Sequence, residues 1–149
     1  MSLEKLFSEP VKDDWLDPYG HVNEGYYLVG FADAAWAFMD HFKVGADYFE
    51  RTGCAFYTLE SHLRYLNEIR APAVMDFEAL VLQVDHKRCR YGMIMRVDGS
   101  ERATFECVML HFDTRAGRSA PIDEDTLSAM QAAAVKELPD WAGRSVALK

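Results

Sequence analysis

Hydrophobic positions along the chain follow first a helical and then a two-residue period. Nothing across residues 24–42 breaks a helix, and Tyr26, Tyr27, Leu28, Val29, Phe31, Trp36, Phe38, Met39 and Phe42 point in all directions around its axis. Gly30, Asp33, Ala37 and Asp40 mark one narrow, less apolar stripe. A helix apolar nearly all round must be wrapped by protein. Asn23 is a good residue to cap its first turn with a side-chain oxygen. A membrane span needs about 20 uninterrupted apolar residues, and Asp33 and Asp40 interrupt this run. The membrane reading is rejected.

Strand periodicity takes over afterwards. Residues 55–66 alternate, with Tyr57, Leu59, Leu63 and Tyr65 on one face and Thr58, Glu60, His62 and Arg64 on the other. Residues 74–85 form a second long strand after a turn at Pro72. Residues 90–97 and 103–113 flank Asp98-Gly99-Ser100-Glu101, a hairpin signal. Upstream, residues 7–15 read as a short strand with Pro10 at an edge, and Pro18 and Gly20 turn the chain toward the helix. Residues 43–53 are a connector with one helical turn around 47–51. Residues 123–138 form a last helix capped by Asp123, with Leu127, Met130, Ala134 and Leu138 on its apolar face; the tail after Pro139 is expected to be loosely held. The sum is an α+β fold, a curved antiparallel sheet wrapped around one long central helix, in a single domain over residues 1–149.

Composition narrows the function. Half of the 149 residues are hydrophobic, which excludes a disordered chain. A formal charge of -8 argues against nucleic acid, whose binding depends on Lys and Arg neutralising phosphates. Cys54, Cys89 and Cys107 are odd in number and widely separated, as expected for free thiols in a cytoplasmic protein. No apolar run follows a basic start, so no signal peptide is expected. His21, His41, His62, His86 and His111 lack zinc-type partner spacing, and no metal is expected.

The chemistry gathers in front of the helix, where a carboxylate, a Pro/Gly loop, a histidine and an asparagine follow one another. Asp17 either stabilises the turn or acts on a substrate. His21 either caps the loop or orients a reactant. Asn23 reads first as the helix cap. Asp17-x-x-Gly20-His21-Val22-Asn23, then Tyr27, the strand from Glu60 to Leu66 and the later hairpin together resemble the hotdog-fold thioesterases of the 4-hydroxybenzoyl-CoA thioesterase type, over roughly residues 5–115. The same loop is similar to that of acyl-carrier-protein thioesterases, but Tyr19 and Glu24 stand where that subgroup carries asparagines.

The resemblance implies hydrolysis of an acyl-CoA, with Asp17 as nucleophile or general base and amides of the first helical turn near Glu24 holding charge on the carbonyl oxygen. His21, Asn23 and Glu60 join Asp17 as candidate catalytic residues, Glu60 by reaching a partner's loop, since the family's sites lie between subunits. Glu24, Tyr19 and Tyr26 are candidate substrate contacts, and Lys87, Arg88 and Arg90 form the densest basic cluster for the CoA phosphates. CoA enters as part of the substrate, and no cofactor is expected. The run from Tyr57 to Leu66 is similar to betainyl-CoA thioesterases, whose substrate carries a trimethylammonium group; Trp15, Tyr19, Tyr26, Trp36 and Phe56 offer aromatic surface for such a cation, although Trp36 reads first as core. A homodimer or dimer of dimers is expected, because a lone curled sheet leaves its edges open. A dehydratase or hydratase of the same fold, and a non-catalytic acyl-CoA-binding module, are the competing readings.

Overall fold

The computed structural model describes residues 2–148. Five antiparallel strands make up the sheet: β1 (Ser2–Pro10), β2 (Cys54–Tyr65), β3 (Val74–Val84), β4 (Arg88–Val97) and β5 (Ser100–Asp113), with a two-residue β6 (Arg118–Ser119) paired to β5. Their order is β1-β3-β4-β5-β2, so β1 and β2 are the edges. Helix α1 (Glu24–His41) and the short α2 (Ala46–Thr52) lie between β1 and β2 in sequence, and α3 (Glu124–Ala133) follows the sheet.

One stripe of α1 packs on the sheet: Tyr27, Gly30, Phe31, Ala34 and Phe38 are buried. Phe31 stacks on Phe105 of β5 with centroids 5.0 Å apart and meets Phe77 of β3 edge-on at 5.5 Å, while Phe38 stacks on Tyr91 of β4 at 4.8 Å. Each fully buried ring contributes up to about 1.5–3 kcal/mol by leaving water. Gly30 belongs to this face, not to a polar stripe. A Cβ there would meet Phe77 Cζ at 3.0 Å, so its small size lets the helix approach the sheet.

The opposite side of α1 stays open, against the expectation of a fully wrapped helix. Leu28, Val29 and Trp36 are exposed, Trp36 by 55%, so Trp36 is not core. One sheet covers one face of a helix, and this helix has apolar residues on both.

Several boundaries, one strand register and the tail also differ from the sequence reading. A bulge between Leu3 and Phe7, with Lys5 at φ 47°, hides the two-residue period of β1, which therefore starts earlier than expected. Pro10 ends it, and Trp15 is buried by a 3-10 turn (Asp13–Trp15) instead. In β2 a register shift between Thr58 and Glu60 inserts one extra residue, and the alternation flips there. Thr58 thus shares the helix-facing side with Ser61, Leu63 and Tyr65, whereas Tyr57 joins Glu60, His62 and Arg64 on the outer side. Helix α3 stops at Ala133 because the Val135 amide donates to the Val81 carbonyl of β3, leaving Leu138 exposed. The tail is docked, not loose: Trp141 covers Gly92 of β4, and the Gly143 amide donates to Glu106 Oε2 at 2.8 Å. The Asp98-Gly99 hairpin forms as expected, both residues at positive φ (51° and 76°) in the manner of a type I′ turn.

One packing contact is unfavourable at neutral pH. Glu9 of β1 has a buried Oε2 without a partner, and burial, then the facing Asp33 carboxylate of α1, raises its carboxyl above the ordinary 4.5, with Lys12 opposing. A carboxyl raised in the fold stabilises most when protonated and loses that contribution as pH climbs through its folded value. Glu9→Gln is therefore expected to raise Tm at pH 7, by about 2–4 °C for each kcal/mol relieved in a chain of this size, with the gain shrinking below pH 4.5. Thermal scans across pH check this.

Candidate functional site

The loop ahead of α1 is closed by its own backbone. Leu16 and Val22 bridge, the Asp17 amide donates to the His21 carbonyl at 2.7 Å, and Gly20, at φ 80°, donates to the Asp17 carbonyl at 2.9 Å. Within it Asp17 Oδ1 accepts the amides of Tyr19 (2.9 Å) and His21 (3.2 Å). Asp17 is thus the turn-forming residue, and its Oδ2 takes no partner among the described residues. One carboxylate fixes the loop with one oxygen and leaves the other uncommitted.

Asn23 is the helix cap. Its Oδ1 accepts the Gly25 amide at 3.0 Å, and the Tyr26 amide donates to the Asn23 carbonyl at 2.9 Å. The Glu24 amide is the donor of the first turn that the cap leaves over, at the positive end of the helix dipole.

Asp17, His21, Val22, Glu24, Tyr27, Tyr65, Leu66, Asn67 and Glu68 line a cleft of about 330 Å³. Tyr27 donates to the Asn67 carbonyl at 3.0 Å and Tyr65 to the Glu24 carbonyl at 3.2 Å. Burial, ahead of any charge, raises both phenols, and the Glu24 carboxylate adds to this at Tyr65. Both therefore stay protonated and serve as donors. His21 Nε2 lies 3.1 Å from Glu68 Oε2, close but off the line of a full hydrogen bond.

The comparisons with known proteins bear on this arrangement. The profile of the thioesterase-like superfamily matches residues 11–130. The chain belongs to that superfamily. An L-carnitine dehydrogenase/betainyl-CoA thioesterase of Agrobacterium fabrum is 36% identical over 97% of this chain; the chain spans only 31% of that protein's length. A betainyl-CoA thioesterase of Pseudomonas aeruginosa is 29% identical, over 95% of this chain and 93% of its own. Among solved structures, a Staphylococcus aureus protein in complex with CoA superposes with a TM-score of 0.89 at 19% identity, covering 100% of this chain and 98% of that one. A putative thioesterase of Pseudomonas putida reaches 0.81 at 26%, with the same coverage. The sheet and central helix are the hotdog fold of these thioesterases.

Measured against that superfamily fold, the expected residues divide. Asp17, His21 and Glu24 share the cleft, with Asn23 beside it as cap. Tyr19 is 82% exposed outside it, and Tyr26 stacks on Trp15 at 5.4 Å. Glu60 sits opposite Val108 on the outer side of the sheet, in a second cleft with His62, Arg90 and Glu106, so one chain does not bring it to Asp17. The basic cluster is largely neutralised. Arg88 binds Asp85 Oδ2 through Nε and Nη2 at 2.8 and 2.6 Å, and Arg90 binds Glu106 and Gln83, each at 2.7 Å. Desolvation would raise the Asp85 carboxyl, but hydrogen bonds from Arg88 and from the Lys87 and Arg88 amides hold it at about 2. The Lys87 ammonium makes no ion pair among the described residues.

Glu68, Tyr27 and Tyr65 are among the cleft residues that the sequence did not assign to the site. Tyr27 and Tyr65 had the signal of facing inward on α1 and β2. Glu68 had none, because it lies in an irregular loop. Among the described residues, no group of three or more His, Cys, Asp and Glu could hold a metal ion. Asn23→Ala removes the cap while the aromatic packing that seats α1 remains; a loss of about 1 kcal/mol in urea unfolding, without loss of fold, is expected.

Proposed function

We propose that this chain hydrolyses a small acyl-CoA to the free acid and CoA. The observation that carries the reading is the joint presentation, in one cleft, of a loop-fixed Asp17 carboxylate and the uncommitted Glu24 amide of a helix N-terminus. Hydrolysis needs an oxygen nucleophile delivered to the thioester carbon and a donor for the oxygen that becomes negative. Asp17 attacks the carbonyl or takes a proton from the attacking water. The Glu24 amide faces the developing oxyanion, and a preorganised donor of this kind is worth about 2.7–4 kcal/mol in the barrier. None of this requires a cofactor.

Betainyl-CoA is the acyl thioester we favour. Its trimethylammonium group stands one methylene from the carbonyl, so it must occupy the same cleft as the reacting carbon. Carboxylates of Asp17, Glu24 and Glu68 and the rings of Tyr27 and Tyr65 make that cleft attractive to a cation, and the names of the Agrobacterium and Pseudomonas aeruginosa relatives support the assignment. The CoA phosphates would meet the Lys87, Arg88 and Arg90 region, where Arg88 and Arg90 exchange their internal carboxylate partners for phosphate.

The active form is proposed to be a homodimer or a dimer of dimers of this single domain, in the cytoplasm. Strand β2 is an open edge, and beside it runs an uncharged groove of about 630 Å³ between α1, α2 and β2, bordered by Trp36 and Phe49. A second copy paired through β2 would cover that apolar surface. It would also give Glu60 the neighbouring subunit's loop to act on. Three free cysteines suit a reducing compartment, and among the described residues no helix is long and apolar enough to cross a membrane.

Release of free thiol from betainyl-CoA and from short neutral and aryl acyl-CoAs tests the proposal. Wild type is expected to turn over betainyl-CoA best, and Asp17→Asn to lose at least about a hundredfold, the low end for a general acid or base. Binding of CoA esters without any thiol release would replace hydrolysis with a binding role. A tenfold preference for neutral esters would discard betaine alone and assign the uncharged groove to the acyl chain.

A further inference from the structure

The loop joining β2 to β3 is held at three successive residues, by α1, by β5 and by the Asp17 loop in turn. Asn67 accepts Tyr27 Oη through its carbonyl at 3.0 Å, the Glu68 carbonyl accepts Arg102 Nη1 at 2.9 Å, and the Ile69 carbonyl accepts the Val22 amide at 2.8 Å. Ile69 is itself buried, at 2% exposure. The backbone beneath Glu68 is therefore fixed without help from its side chain. Its carboxylate then lies between two cations or potential cations, with Oε2 3.1 Å from His21 Nε2 and Oε1 3.3 Å from Arg70 Nε.

His21 is equally constrained. Its amide donates to Asp17 Oδ1 at 3.2 Å and its carbonyl accepts the Asp17 amide at 2.7 Å, so the imidazole projects toward Glu68 from a backbone that the Asp17 loop holds in place. A carboxylate only accepts hydrogen bonds. Although the pair is off the line of a full hydrogen bond, an oxygen 3.1 Å away repels a lone pair on Nε2, which places the proton there and the lone pair on Nδ1.

We infer that Glu68 is a positioning residue that holds the proton of His21 on Nε2, so that the Nδ1 lone pair accepts a hydrogen bond from the water attacking the thioester. Such a water has two protons. Asp17 takes one as the oxygen bonds to the carbonyl carbon and the carbonyl pair moves onto its oxygen, while Nδ1 holds the other, which aims the lone pair at that carbon; the return of that pair breaks the C–S bond, and the CoA thiolate leaves with the proton from Asp17. Two acceptors fix an orientation that one alone leaves free to rotate. The role given to the water rests on the hydrolytic reading proposed above; the tautomer does not.

Ring nitrogen-15 shifts of the histidines in the full chain test the pairing, with His21 assigned by its loss in His21→Gln. At pH 8 the wild type is expected to report His21 with the proton on Nε2, and Glu68→Gln and Glu68→Ala to move the signals toward the Nδ1–H form or a mixture. In both variants kcat should fall about tenfold, the lower end of what loss of an outer partner of a functional histidine costs in other enzymes, while KM is held. Dispersed amide spectra distinguish this from unfolding, and Glu68→Gln, with the same shape, serves if Glu68→Ala does not fold. An unchanged His21 tautomer in a folded variant overturns the inference whatever the rates do, and so does a rise in KM at constant kcat. Because the ring shifts need no substrate, an inactive wild type would defeat the hydrolytic reading and the assigned water while the shifts alone decide the pairing.

Discussion

Phe31 sits between Phe77 and Phe105, and that contact decides where the N-terminus of α1 points. With Phe38 on Tyr91 about two turns further along the same face, it fixes both the position and the direction of the helix. Up to about 1.5–3 kcal/mol per buried ring outweighs the cap at about 1 kcal/mol, so packing positions the helix and the cap only completes its first turn. The Glu24 amide then lies beside a loop whose shape is imposed by Asp17 itself. In the proposed reaction scaffold and chemistry thus share a side chain: one oxygen of Asp17 is structural, and the other would meet the reactant.

The same packing explains what is unfinished about a single chain. A sheet of five main strands covers the Phe31 face of α1 and ends at β2, so Leu28 and Trp36 remain exposed beside an edge strand. Opposite that seam the sheet's outer side is already occupied by the chain's own tail, with Trp141 over Gly92 and Gly143 on Glu106. The two sides of the sheet therefore have different fates. The outer one is sealed in part by the tail, and the α1–β2 seam is where apolar surface still seeks a cover.

Much of this was legible in the residues. The Asp17-to-Asn23 loop, the helix that follows it and the Asp98-Gly99 hairpin each depend on local chemistry: a capping side chain, a glycine at positive φ, an apolar stripe. What escaped depends on contacts between distant residues. The extra residue at Leu59 reverses the faces of β2, so Glu60 lands on the outer side and Thr58 on the inner one. Trp36 looked like core because an apolar residue on a helix does not say which side the sheet will take. Arg88 and Arg90 looked like a free basic cluster because Asp85, Glu106 and Gln83 reach them across turns and strands. Glu68 carried no pattern at all, since its meeting with His21 is made by two loops.

The central claim, that the loop of Asp17 and the first turn of α1 together receive the thioester, is tested most directly by amide chemical-shift mapping with an unreactive ketone analogue of the acyl-CoA, in which a methylene replaces the sulfur and the carbonyl is kept. The account predicts the largest changes at Gly20, His21, Glu24 and Gly25, with Glu24 moving as its amide gains an acceptor. Changes confined to the outer side of the sheet around Arg90 and Glu106, with Glu24 unmoved at saturation, would contradict it.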